Sequence, residues 1–194
     1  VTNVVFLRHD DCQLQPTLAL RRDIVRAIRA HRPEVVVCND PSVFFFGGSY
    51  INHPDHRAAA VAALDAVFPC AEMPLLWPEE GPPHKVQAVY IAWTEGRDLW
   101  IDVSETFDLK AAALRAHASQ MGEWDPTEMI RQWASSDARE GRKVAKAKPK
   151  PKAKEQTEAK PADGVPGKRR RSKARYTESY RVMVLQAEDK PPES

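Results

Sequence analysis

Cysteine and glycine are both scarce in this chain of 194 residues, with three of the first and eight of the second. Cys12, Cys38 and Cys70 make an odd number with no short CxxC spacing. That argues against a disulfide framework and fits a reducing, cytoplasmic setting. Nowhere does an apolar run approach the ~18 residues that a membrane-spanning helix needs, and no signal-peptide pattern opens the chain. No internal repeat is evident. A lead-in is missing too: the sequence starts at Val1 and enters the apolar run Val4-Val5-Phe6-Leu7 almost at once. A chain that opens inside a strand is expected to be truncated at its N-terminus.

What is present is unevenly spread. The formal net charge of +2 hides residues 1–140, at −7, residues 141–175, at +11, and residues 176–194, at −2. The basic segment is a low-complexity mix of Lys, Ala and Pro without an aromatic residue. Such a composition buries too little apolar surface to offset the entropy of ordering, so 141–175 reads as a disordered insert. Its Arg169-Arg170-Arg171 cluster could hold nucleic acid or another polyanion through phosphate charge alone. Without aromatics to stack on bases that binding would be weak and non-specific, and a solvated insert is the plainer reading. Tyr180 to Leu185 is strand-like again, so 176–185 is expected to return to the domain as a last strand, with 186–194 as a tail.

Residues 1–140 read as an α/β domain. Val4–Leu7 is a candidate buried strand. Thr17 can cap a helix to about His31, stopped by Pro33. Val35-Val36-Val37-Cys38 is a short, largely β-branched run of the kind buried on both faces of a parallel sheet, with Cys38 as a small buried hydrophobe. An alanine-rich helix is expected over 54–68 and a proline-rich loop over 69–84. Strands follow at 86–93 and 99–103, then helices at 107–120 and 125–140. This alternation points to a layered fold with a mainly parallel sheet, whose sites lie beyond the carboxyl ends of the strands. The polar clusters at 8–13 and 39–56 hold that position.

Asn52-His53-Pro54-Asp55-His56 carries the densest chemistry, where a glycine-bearing loop enters a helix. Imidazoles three apart at a helix start can share one cleft, one ligating a borderline metal and the other moving a proton. Spacing alone leaves that reading level with a polar helix cap.

Tyr50-Ile51-Asn52-His53-Pro54-Asp55-His56-Arg57-Ala58-Ala59 resembles the second signature of the PIG-L/LmbE deacetylases, a metal-dependent family with a Rossmann-like fold. Weaker likenesses follow in the family's order, among them Leu20 to Val25, Arg32 to Val36, His84-Lys85-Val86, and Lys110 with Ala113, His117, Ser119 and Gln120. Together they cover roughly 1–140 and 176–185. The resemblance implies hydrolysis of an N-acetylglucosaminyl-type amide with zinc, or another divalent metal, as cofactor. His56 would be a zinc ligand. His53 would stabilise the oxyanion and act as general acid, with Asp55 holding its ring.

The sequence departs from the family in three respects. The first signature, of the type His-Pro-Asp-Asp, is absent, and with it two further ligands and the general base. His9-Asp10-Asp11 is not that motif: it follows a strand where the family has an Asp-Gly pair, which makes Asp11 a candidate substrate contact. Cys12 stands at the usual glycine, and the basic insert is foreign to the family. The chain by itself is therefore expected to be catalytically incomplete. The rival reading is a non-catalytic member of the fold that binds polyanions through 141–175.

His117 is a second candidate substrate contact, weighed against an ordinary helix-terminal hydrogen bond. Trp77, Trp93 and Trp100 could stack on a sugar, but tryptophans beside strands are first of all core residues. Arg57 reads as a surface or supporting residue.

Overall fold

The computed structural model describes residues 1–147 and 174–185. Most of the basic segment and the tail at 186–194 lie outside the described residues. The chain divides into two compact units, one made of 1–96 and 180–194, the other of 97–179.

The first unit opens with α1 (Leu18–His31), whose free first-turn N–H at Leu20 donates to Thr17 Oγ at 3.2 Å. Arg32 ends it in the left-handed region (φ 47°), its N–H bonded to the Ile28 carbonyl, and Pro33 forbids continuation. β1 (Val35–Asn39) runs parallel to β4 (Ala88–Ala92), pairing Val35 with Ala88 through Asn39 with Ala92. Between them lie a small hairpin, β2 (Phe45–Phe46) with β3 (Tyr50–Ile51), and α2 (Pro54–Asp65). β6 (Thr177–Val184) pairs antiparallel with β4, Ile91 opposite Arg181 and Ala88 opposite Val184.

An aliphatic core holds this unit. Val25 and Ile28 of α1, Ala66, Val67 and Cys70 after α2, and Val86, Val89 and Ile91 around β4 are buried together. Each large member contributes about 1.5–3 kcal/mol on burial. Arg29, also buried, spends its guanidinium on the carbonyls of Cys70, Ala71, Met73, Trp77 and Gly81. One α1 side chain thereby satisfies the irregular, proline-rich stretch after α2. Arg22 and Arg26 add a fork onto Glu80, whose carboxyl is held down to about 2 by those two guanidiniums.

In the second unit β5 (Leu99–Asp102) neighbours β6, whose first residues, Thr177 to Ser179, belong there. α3 (Phe107–Arg115), the single turn α4 (Ala118–Met121) and α5 (Thr127–Ala147) follow. The core here is smaller: Phe107, Ala111, Ile130, Ala134 and Tyr176, with the Phe107 and Tyr176 rings 4.4 Å apart.

Several expectations need correction. The α/β class holds, but the main sheet is mixed: β1 and β4 are parallel while β4 and β6 are antiparallel, and β2 and β3 form a separate antiparallel pair. The last strand enters from the far side of β4, and periodicity carries no information on strand direction. Val4 to Leu7 is irregular and exposed rather than a buried strand. An apolar run becomes a strand only with a ladder partner, and none pairs with it among the described residues. Val37 is 61% exposed: side chains alternate between the two faces of a strand, and the face it points to on the edge strand β1 is uncovered. Phe68 (φ −139°) and Pro69 end α2 early in a wide turn, and the helix expected over 107–120 breaks after Arg115. α5 runs on to Ala147, so the first residues of the basic segment are helical.

Candidate functional site

α2 begins where its sequence says it should. Pro54 occupies the first turn, where its missing N–H is no loss, and His53 is the N-cap. The cap is an imidazole: Asp55 N–H donates to His53 Nδ1 at 3.2 Å. A backbone N–H can only donate, so Nδ1 accepts, and in the neutral ring the proton sits on Nε2. His53 Nε2 lies 3.3 Å from Cys12 Sγ. His56, one turn on and exposed, has its ring centroid 5.4 Å from that of His53.

The Asp55 carboxylate does something other than the resemblance implies. It accepts the N–H groups of Cys12 (2.7 Å) and Leu14 (3.2 Å). Asp55 therefore positions His53 through its backbone and the 12–14 loop through its side chain. It also stands in the first turn of α2, where a carboxylate complements the helix dipole. The loop in return is bent, with Arg8 (φ 60°) and Cys12 (φ 62°) in the left-handed region. Cys12 adopts the conformation that a glycine would take without strain.

That bend gathers Asp11, Cys12 and His53, each with one donor atom within 4.8 Å of the others. Cys12 is the member that sequence reasoning treated only as a departure from glycine. The signal that marks it is a non-glycine residue at a glycine position. His117 belongs to the second unit, as the residue before α4. There its backbone carbonyl accepts the N–H groups of Gln120 and Met121, and its imidazole makes no cap bond to α4. Arg57 lays its guanidinium 4.4 Å over the Phe44 ring and also bonds the Asn52 carbonyl.

A catalytic zinc site takes about three protein ligands. His56 offers an unencumbered imidazole. The Asp11–Cys12–His53 group is chemically apt, but a metal on Nε2 would need the proton moved to Nδ1, which would expel the Asp55 N–H that caps α2.

Beyond the carboxyl ends of β1 and β4 lies Asp40, buried, with Ser42 N–H and Oγ donating to it at 2.8 and 2.5 Å. Burial pushes its carboxyl up, but hydrogen bonds from Ser42 and Thr94, with Arg181 nearby, leave it below the usual range. Cys38 is pushed the other way, up to about 11, first by burial and then by the Asp40 charge.

With that geometry in place, comparison with known proteins is informative. The chain is 32% identical over 135 residues to the diacetylchitobiose deacetylase of Thermococcus kodakarensis, a match covering 65% of this chain and 48% of that protein. It is 37% identical over 95 residues to 1D-myo-inositol 2-acetamido-2-deoxy-alpha-D-glucopyranoside deacetylase 2 of Saccharopolyspora erythraea, covering 48% and 29%. The chain is a relative of the PIG-L/LmbE-type deacetylases. The N,N'-diacetylchitobiose deacetylase of Pyrococcus horikoshii shares its fold, with a TM-score of 0.68 at 21% identity over 95% of this chain and 58% of that one. The chain thus spans about half or less of the length of these curated relatives. No protein-family model matches it. Among the described residues, no helix is long and apolar enough to cross a membrane.

Proposed function

We propose that this chain carries the proton-donating part of an N-deacetylase site acting on an N-acetylglucosaminyl-type amide, in a free sugar or a glycoconjugate. The observation that carries the reading is His53, fixed as the N-cap of α2 with its proton on Nε2 and His56 beside it. The names of the two sequence relatives, both deacetylases of acetamido sugars, support the substrate class.

In the reaction, water adds to the acetamide carbonyl, the C–N bond breaks, and acetate and a free amine leave. His53 Nε2–H, which here meets Cys12 Sγ, donates first to the carbonyl oxygen as it gains charge. It then passes a proton to the departing amine and regains one from the water that has added to the carbonyl, so that the ring ends neutral as it began. Asp55 keeps the imidazole in that tautomer through its N–H and holds the 12–14 loop with its carboxylate, and Asp11, beside Cys12, would serve as the substrate contact. His56 offers one nitrogen to zinc or another divalent cation, whose chemistry is to acidify water and polarise the carbonyl. With one such ligand, the 194-residue chain retains zinc poorly and releases no acetate by itself.

The test is zinc content after dialysis, together with acetate release from N,N'-diacetylchitobiose. It is run on this chain and on a form extended N-terminally by a His-Pro-Asp-Asp segment. In the extended form His56→Ala should lose the metal. His53→Ala should keep it and slow turnover by about 10²–10⁴-fold. Unchanged turnover in both variants would refute the assignment.

A further inference from the structure

Asp11, Cys12 and His53 bring a carboxylate, a thiol and an imidazole together, with one ligand atom of each within 4.8 Å of the others. Three protein ligands of mixed oxygen, sulfur and nitrogen character, with a solvent-facing side left for a water, suit a four-coordinate ion of the zinc class. Asp11 and Cys12 are exposed and His53 is half-buried, so an ion has open access to the group.

The spacing agrees with the composition. With bonds of about 2.3 Å to sulfur and about 2.0 Å to nitrogen, two corners of a zinc tetrahedron lie about 3.5 Å apart. Cys12 Sγ and His53 Nε2 lie 3.3 Å apart. The pair is thus spaced for an ion as well as for the proton that now lies between them. Asp55 holds both partners there. Its carboxylate accepts the Cys12 N–H at 2.7 Å, and its own N–H donates to His53 Nδ1 at 3.2 Å.

Only the second of those bonds has to give way. Nε2 ligates as the unprotonated nitrogen, so its proton moves to Nδ1 and the Asp55 N–H is released. Cys12 gives its thiol proton to solvent and Asp11 has none to give, so one proton leaves for each ion bound. Losing one N-cap bond costs about tenfold in affinity, which is small against what thiolate and imidazole ligation supplies.

We infer that Asp11, Cys12 and His53 form a thiophilic-metal site that switches the chemistry off. An ion there is separate from one held by His56. It occupies the Nε2 that would donate a proton and the carboxylate that would meet substrate. The thiolate selects zinc or cadmium over magnesium or calcium, so the site answers to a surplus of zinc-class ions. The switching role rests on the deacetylase reading, whereas the binding of the ion does not.

The probe is Cd²⁺, titrated into the reduced 194-residue chain while thiolate-to-cadmium charge-transfer absorption is recorded. One equivalent should saturate the band, and Zn²⁺ but not Mg²⁺ should abolish it. Cys12→Gly, which suits the φ of 62°, should lose the band. Asp11→Asn and His53→Gln should each weaken binding by about tenfold or more. Amide exchange at Asp55 should quicken as Cd²⁺ binds, because its cap bond is given up. A band that survives Cys12→Gly, that Mg²⁺ abolishes, or that forms with Asp55 exchange unchanged overturns the site. In the N-terminally extended form, surplus Zn²⁺ should inhibit acetate release by the parent and not by Cys12→Gly. Equal inhibition of both overturns the switch. A Cys12-dependent band in a protein that releases no acetate in any form upholds the metal site and sinks the deacetylase reading instead.

Discussion

The two compact units solve the same packing problem with different materials. The first buries an aliphatic cluster together with Arg29, whose guanidinium is saturated by backbone carbonyls. The second buries a stacked aromatic pair, Phe107 and Tyr176, and ties its elements with more exposed ion pairs such as Arg97 with Asp137 and Glu140. The residues proposed for chemistry, apart from His117, sit in the first. There Arg29, His53 and Asp55 are each tied to backbone groups, which hold a side chain in one geometry. Long surface pairs do so less well and are screened by salt.

The sharpest test of that contrast is to remove the organising residue of each unit. Arg29→Met should cost about 3–5 kcal/mol, because it orphans several carbonyls in the 70–81 stretch. Phe107→Ala should cost a similar or slightly smaller amount, about 3–4 kcal/mol, through a cavity instead of lost hydrogen bonds. Urea denaturation followed by hydrogen exchange assigns each loss to its unit. Equal loss of protection in both units from either change would mean that they unfold as one body, and the comparison would dissolve.

A smaller and more local effect is expected at the site. Asp55→Ala removes two charge-assisted acceptor bonds and should free the 12–14 loop by about 1–3 kcal/mol. The readout is faster amide exchange at Cys12 and Leu14 while α2 stays protected. Protection unchanged at both amides would show that the loop is held by something other than that carboxylate.

The mildest test uses acid. Glu80 has its carboxyl lowered from 4.5 to about 2 by Arg26 and Arg22, so its folded pKa lies below its unfolded one. Its contribution is present above about pH 4.5 and fades as pH falls toward 2. Glu80→Gln should flatten that part of the first unit's stability profile. It should leave the second unit's profile alone.

Much of this was legible in the chain. Thr17 as a cap, Pro33 as a stop, the valine run of β1 and Pro54 at the head of α2 are local signals, and each element forms there. The approach of His53 to His56 followed from three-residue spacing at a helix start. Trp77 packs on the first core as expected, from the proline-rich stretch, whereas Trp93 is half-exposed, because its left-handed backbone turns it out of β4. Nothing local could announce that, nor that Asp55 would reach across 41 to 43 residues to the backbone of Leu14 and Cys12.

The sequence alone determined which short segments become helix or strand and which motif bears imidazole, since capping, periodicity and proline act over a few residues. Strand direction, the exposure of Val4 to Leu7 and the bend that brings Cys12 to His53 belong to the tertiary structure. Each is a contact between segments far apart in sequence, and its energy exists only once both have folded.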